Sequence, residues 1–278
     1  LVRLYFLRQA VDSQPWLATS PYAPECAEDH PLKTFSPVKK NMVLFFLIDV
    51  SSSMKGERID TMNRAMREVL PELIAVGGSN TDIRVAVLEF GSGWEWITPE
   101  PVLLEEFQNW RELSADGVTD LGMALEELNT KMSRRQFLNS PSLSYAPVVF
   151  LITDGYPTDN YRRGLEALKK NKWFQAGIKI ALALGRGVDK HILEEFTGDP
   201  EFVIEAKNTE MLYQLVRHIS IASSQIGSSS IPVEEASMEL TEKDVAGKKQ
   251  EMMRDVLTEM KNDIMASDLS DLDYESGW

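Results

Sequence analysis

Five oxygen-bearing residues hold the most specific chemistry in this chain: Asp49, Ser51, Ser53, Thr119 and Asp154. The first three alternate within Asp49-Val50-Ser51-Ser52-Ser53. In a locally extended turn, positions i, i+2 and i+4 project to one side, so these three side chains converge. Asp154 stands in Thr153-Asp154-Gly155, and Thr119 in the loop Asp116-Gly117-Val118-Thr119-Asp120. Two carboxylates and three hydroxyls are hard oxygen donors. They suit Mg2+ or Mn2+, with Ca2+ as a further candidate and water completing the shell. Zinc prefers His or Cys, and neither is nearby in sequence. If the hydroxyls bind directly and the carboxylates act largely through water, the ion keeps much of its charge and favours an incoming carboxylate. Taken singly, each piece has a plainer use: Asp49, Ser53 and Thr119 as helix caps, and Thr-Asp-Gly as a strand-to-helix turn. Their shared order, spacing and placement at strand ends favour a metal site.

The elements that must position these residues are legible from residue 42 onward. Val43–Ile48 is a continuous apolar run ending at Asp49, the mark of a strand buried on both faces. Ile59, Met62, Met66, Val69 and Leu73 form one helical stripe, and Leu121, Leu125, Leu128 and Met132 another. Ile83, Val85 and Val87 alternate as a second strand, and Val148–Ile152 is a second apolar run that leads into Asp154. A helix over 161–170, a strand through Ile178–Leu184, a helix over 189–196, a short strand at Phe202–Ile204 and a helix over 209–222 follow. Gly93–Trp96 and Val102–Leu104 supply a short antiparallel edge. This alternation predicts an α/β fold, a doubly wound and mostly parallel sheet with helices on both faces. Ligands of such sheets bind at strand carboxyl ends, where the strand order reverses.

The domain is expected over 41–222, with an extension at each end. Residues 1–40 are irregular, interrupted by Pro15, Pro21, Pro24, Pro31 and Pro37. They read either as a packed extension or as a non-native or disordered segment ahead of a domain that begins near Lys39. Residues 223–278 read as a Ser-rich linker, an acidic amphipathic helix with Val245, Met252, Val256, Met260 and Ile264 on one stripe, and a disordered acidic end. That stripe could dock on its own domain or on another protein.

The net charge of −14 argues against a general binder of nucleic acid or anionic membrane. A single cysteine, Cys26, can form no internal disulfide, and no apolar run approaches the length that spans a bilayer. Leu1–Leu7 is too short for a leader, so no signal peptide is expected and the chain reads as cytoplasmic.

The five residues, in the form Asp-x-Ser-x-Ser, then Thr, then Asp, resemble the metal-ion-dependent adhesion site of the von Willebrand factor A (vWA) domain family. The resemblance covers about residues 41–222. It implies a Rossmann-like sheet with the metal at its top, Ser51, Ser53 and Thr119 as direct ligands, and Asp49 and Asp154 acting mostly through water. Ser52 departs from the family, which most often has Gly there. Phe45-Phe46-Leu47-Ile48-Asp49, Val149–Gly155 with Pro157-Thr158-Asp159, and Gly164–Lys169 are similar to the bacterial TerY-like group of tellurium resistance and stress. That likeness implies a serine/threonine kinase and a metal-dependent protein phosphatase as partners. The Cys-rich zinc module carried by some of that group is replaced here by a Cys-free acidic tail.

The expected function is non-catalytic: a Mg2+-dependent module that binds a partner protein through its Asp or Glu. The alternative is a Mg2+-dependent hydrolase or phosphotransferase in the same crevice. Against it, the chain has no Asp-x-Asp nucleophile pair, no Gly-x-Ser-x-Gly elbow and no Walker loop. Lys55 and Arg58 are the nearest basic residues in sequence for holding a phosphate. Asp116, Asp120 and Asp159 could form an outer shell or serve as caps. His30, His191 and His218 read as structural, Trp94 and Trp96 as packing rather than a partner-facing rim, and Trp173 and Phe174 as core.

Overall fold

The computed structural model describes residues 39–76, 81–107, 110–139, 144–185, 188–228 and 242–268. The readings made for residues 1–38, for the segment 229–241 and for the acidic end after 268 lie outside these residues.

The two continuous apolar runs become neighbouring central strands. β1 (Lys40–Asp49) pairs in parallel with β2 (Thr81–Gly91) on one side and with β5 (Val148–Thr153) on the other. β6 (Ile178–Leu184) and β7 (Val203–Ala206) extend the parallel sheet beyond β5. β3 (Gly93–Trp96) and β4 (Val102–Leu103) each pair antiparallel with β2, giving the order β3-β2-β1-β5-β6-β7 with β4 also beside β2. The helices are α1 (Glu57–Val76), α2 (Leu121–Lys131), α3 (Tyr161–Lys169), α4 (Lys172–Ala176), α5 (Lys190–Thr197), α6 (Thr209–Ser228) and α7 (Glu242–Asp268). The sheet is mostly parallel with helices on both faces, as the alternation of patterns predicts.

Strand side chains alternate between two cores. Met42, Leu44, Phe46 and Ile48 face α1 and α6, while Val43, Phe45 and Leu47 face α2, α3 and α5. Phe46 and Phe150 stack across β1 and β5 with ring centroids 4.7 Å apart. The chain leaves β1 for β2, then returns to the opposite side of β1 at β5. That reversal opens a crevice at the carboxyl ends of β1 and β5, where Asp49 and Asp154 stand.

The structure departs from the sequence reading at the carboxyl end. The helix expected over 209–222 continues to Ser228, so Ser223, Ser224 and Ser228 belong to α6 and not to a linker. Ser223 and Ser224 are fully buried, and the Ser223 hydroxyl lies 3.6 Å from the Met253 sulfur of α7. Small side chains let the two helices approach closely. α7 therefore docks on its own domain. Its buried stripe is Lys249, Met253 and Leu257, with Val256 and Met260 partly buried and Met252 exposed. Met252 thus lies one position off the buried stripe. Arg254 anchors the same helix through an ion pair with Asp199.

At the amino end of β6, Lys179 donates to the carbonyls of Phe174 (3.3 Å) and Gln175 (3.4 Å). Burial pulls its ammonium down from 10.5 to about 8.

Two outcomes follow from this packing. Leu257→Asp places a charge in the seam between α6 and α7 and is expected to cost about 3 kcal/mol. Hydrogen exchange should then show α7 amides losing protection while those of β1 and β5 keep it. Lys179 binds its proton less readily in the folded chain than in the unfolded one. Its penalty is complete below about pH 8 and fades as pH rises toward 10.5. Lys179→Met should therefore stabilise the chain at pH 7 by on the order of 1–2 kcal/mol, an advantage that shrinks across that window in urea titrations.

Candidate metal centre

All five expected ligands are brought to this crevice. Asp49 closes β1 and is fully buried. Its Oδ1 accepts from the Ser51 amide at 2.8 Å, and its Oδ2 from the Thr153 hydroxyl at 2.5 Å. Both donors are neutral. Burial raises its carboxyl above the ordinary range, the Thr153 and Ser51 hydrogen bonds oppose this, and the charge of Asp154 adds a smaller upward push.

Ser51 and Ser53 hydroxyls lie 3.0 Å apart, and Ser53 Oγ donates to Asp154 Oδ1 at 2.6 Å. A short 3-10 turn, Ser52–Met54, leads the chain off the sheet here and turns the Ser52 side chain outward. Its hydroxyl reaches Asp116 Oδ1 at 3.4 Å, so the departure from Gly leaves the crevice clear. Gly155 forms the floor. A Cβ built on it would lie 3.6 Å from both Ser53 Oγ and Thr119 Oγ1, so both hydroxyls border the same small space.

Thr119 is positioned by a loop stitched to two strands. Asp116 N–H donates to Val50 O (2.7 Å), Ser52 N–H to Gly117 O (3.0 Å) and Asp120 N–H to Gly91 O (2.9 Å). Gly117 has φ +81°, and a Cβ there would meet Ser92 Oγ at 2.1 Å, so the turn requires glycine. A second loop holds the first from the far side. The Thr119 amide donates to Thr158 Oγ1 (3.1 Å), and the Thr158 amide donates back to Thr119 O (2.9 Å).

The outer acids have structural roles. Asp159 accepts from the Gly122 and Met123 amides, both at 2.9 Å, and so caps α2 from another loop. Asp120 accepts from the Gly93 amide at 2.9 Å and from Thr158 Oγ1 at 3.3 Å. Asp116 lies on the surface, where Lys55 at 2.8 Å lowers its carboxyl.

Two contributors were invisible as such in the sequence. Thr153 acts as a donor to Asp49, a role no spacing signals. Arg58, the second residue of the helix after the serines, forms an ion pair with Asp154 and donates to Ser53 O at 3.3 Å. Arg58 and Lys55 are thus both engaged with carboxylates of this region. Of the remaining expectations, Trp96 packs edge-on against Phe137 and donates to Glu127 at 2.8 Å, whereas Trp94 is exposed. Phe174 is core, and Trp173 is partly buried beside Arg134. His191 pairs with Glu195, and His218 lies against Arg217. His30 falls outside the described residues.

The donor set fits a divalent cation. Two buried carboxylates converge with three hydroxyls, and the Arg58 guanidinium supplies one positive charge against them. Replacing Arg58 by Met removes a charge that repels a cation. Mg2+ affinity measured by calorimetry should rise roughly tenfold. The same variant in EDTA should unfold more easily, by on the order of 1–2 kcal/mol, because Asp154 loses its counter-charge.

The family model of the von Willebrand factor type A domain matches residues 44–218. The chain is 30% identical over 169 residues to inter-alpha-trypsin inhibitor heavy chain H1 of Bos taurus, covering 56% of this chain and 17% of that protein. It is 31% identical over 130 residues to heavy chain H6 of Homo sapiens, covering 44% of this chain and 9% of that protein. The chain therefore spans less than a fifth of the length of these curated relatives. Among solved structures, it is similar to proximal thread matrix protein 1 from the mussel byssus, with a TM-score of 0.52 and 19% identity over 68% of this chain and 49% of that one. One form of that mussel protein has a zinc-occupied MIDAS motif. With this sheet, this crevice and a family match across more than half of its length, the chain belongs to the von Willebrand factor type A domain family.

Proposed function

We propose that this chain is a non-catalytic, metal-dependent protein-binding module. Asp49, Ser51, Ser53, Thr119 and Asp154 would hold a divalent cation of the Mg2+ type, with Mn2+ or Ca2+ as substitutes, for a carboxylate of a partner protein. The observation that carries this reading is the charge of the crevice: two buried carboxylates meet three hydroxyls, with Arg58 as the counter-charge. A cation bound there would supply an exposed electrophile. The chain's own residues do the rest. Thr153 and the Ser51 amide fix the Asp49 carboxylate, Ser53 and Arg58 fix Asp154, and the stitched loop presents Thr119. The zinc-occupied motif of the mussel protein supports a divalent cation at this kind of site.

The geometry favours binding over phosphotransfer. Lys55 and Arg58 are the basic residues nearest the ligands in sequence, and both are paired with aspartates rather than aimed at an empty phosphate cradle. Among the described residues no helix is long and apolar enough to cross a membrane. A narrower form of the proposal places the module in a bacterial stress or tellurium-resistance system with a kinase and a phosphatase as partners. It rests on the sequence stretches alone. Co-purification of those two enzyme classes with wild type but not with Asp154→Ala would support it.

The test of the main reading combines metal and partner binding. Asp154→Ala should lower Mg2+ affinity by at least the roughly 10–100-fold that follows loss of an outer-shell partner. Capture of a partner by wild type should be abolished by EDTA and by this variant, with circular dichroism unchanged. Binding that survives both treatments refutes the proposal. Mg2+-stimulated turnover of phosphoesters that Asp49→Ala abolishes would favour the enzymatic alternative.

A further inference from the structure

Among the described residues, the exposed large apolar side chains are Ile74, Trp94, Val118, Met123, Tyr156 and Met252. Four of the six belong to the segments that build the metal crevice. Val118 (46% exposed) precedes Thr119, and Tyr156 (60%) follows Gly155 on the crevice floor. Met123 (48%) lies in the first turn of α2, on the amide that Asp159 caps. Trp94 (41%) is on β3, in register with Phe90 at the carboxyl end of β2. A shallow cavity of about 280 Å³ runs from Val50, between Asp49 and Ser51 in sequence, past Gly91 and Gly117 to Trp94.

Single apolar side chains scattered over a surface need no explanation. Four gathered around one polar crevice are different, because apolar side chains framing a few placed polar groups mark an interaction surface. The hydrogen bonds that tie Thr119 to Thr158, Gly122 and Met123 to Asp159, and Gly93 to Asp120 hold the segments bearing these side chains in one frame. The rim would meet a partner with little loss of backbone freedom.

Charge selects the occupant further. The cavity beside the crevice is lined by three acids, Glu89, Glu95 and Asp116, against two paired cations, Arg111 and Lys55, which leaves it net negative, and the chain as a whole is strongly acidic. A second acid on the partner, next to the one that meets the cation, would be repelled. We infer that the crevice and its rim of Trp94, Val118, Met123 and Tyr156 bind a protein segment in which one Asp or Glu stands among large apolar side chains, without a second acid beside it. This rests on the metal-dependent reading of the site and names the partner chemistry that the reading leaves open.

A random peptide library displayed on phage, selected on the full chain in MgCl2 and eluted with EDTA, tests it. Enriched sequences should carry one Asp or Glu with apolar neighbours and few adjacent acids. Synthetic peptides of those sequences, followed by fluorescence anisotropy, should bind Tyr156→Ser and Met123→Ser about tenfold more weakly than wild type. Calorimetry should show Mg2+ affinity unchanged in both variants, while Asp49→Ala should lose the metal and the peptide together. EDTA-sensitive peptides that need their carboxylate, yet show no apolar enrichment and bind the rim variants like wild type, overturn the rim and leave the metal reading intact. Selection that yields no EDTA-sensitive binder overturns the metal reading itself. A Mg2+-dependent dimer of the chain, lost in Tyr156→Ser, would make a second copy the occupant and overturn the assignment to a separate partner.

Discussion

Two carboxylates are buried side by side at the top of the sheet, and the surrounding structure is organised around that constraint. Asp49 ends β1, and Asp154 follows β5, the strand paired directly with it. Like charges held close in a low-dielectric site repel, and each also gives up its hydration. The chain offsets this in unequal ways. Asp49 receives neutral donors, the Ser51 amide and the Thr153 hydroxyl, while Asp154 receives a hydroxyl and a guanidinium. The excess of acid over the single guanidinium is what a cation at the proposed site would meet. An apolar pair at these positions would ease folding and remove that excess.

The loops around the carboxylates serve the same end by restricting movement. Thr119 belongs to a segment bonded to the ends of β1 and β2 and bound on its other side to the loop after β5. Asp120 and Asp159 spend their oxygens on backbone amides and a hydroxyl of neighbouring segments. Such a frame restricts the three hydroxyls of the proposed site in advance, which would lower the ordering cost of binding there. Gly117 makes the frame geometrically feasible by its positive φ.

Much of this was legible in the residues because the signals were local and periodic. Val43–Ile48 and Val148–Ile152 read as short, continuous apolar runs of the kind found in buried strands, and each led to one of the aspartates. The spacing of Asp49, Ser51 and Ser53 pointed to their convergence, although the backbone is extended only as far as Ser51 and then enters a 3-10 turn. What escaped the reading depended on contacts distant in sequence. Arg58 reaches Asp154 across 96 residues, and Thr153 reaches Asp49 across 104, so neither role leaves a pattern along the chain. In α7, Met252 and Met253 are equally apolar neighbours. A helical period accepts either as the inward one until the position of α6 decides. The buried serines of α6 look like linker composition because a close helix seam and a flexible segment draw on the same small residues.

The way the sheet ends on each side has a consequence of a different kind. β2 would be a long border strand with unpaired amides, but β3 and β4 fold back and cover part of its outer side. On the opposite side the last strand among the described residues is β7, which is four residues long and bears Glu205, paired with Lys190. Brevity, charge and fold-back strands are the devices that keep one sheet from adding to the next. Among the described residues, the sheet therefore offers little open edge on which a strand of another copy could add.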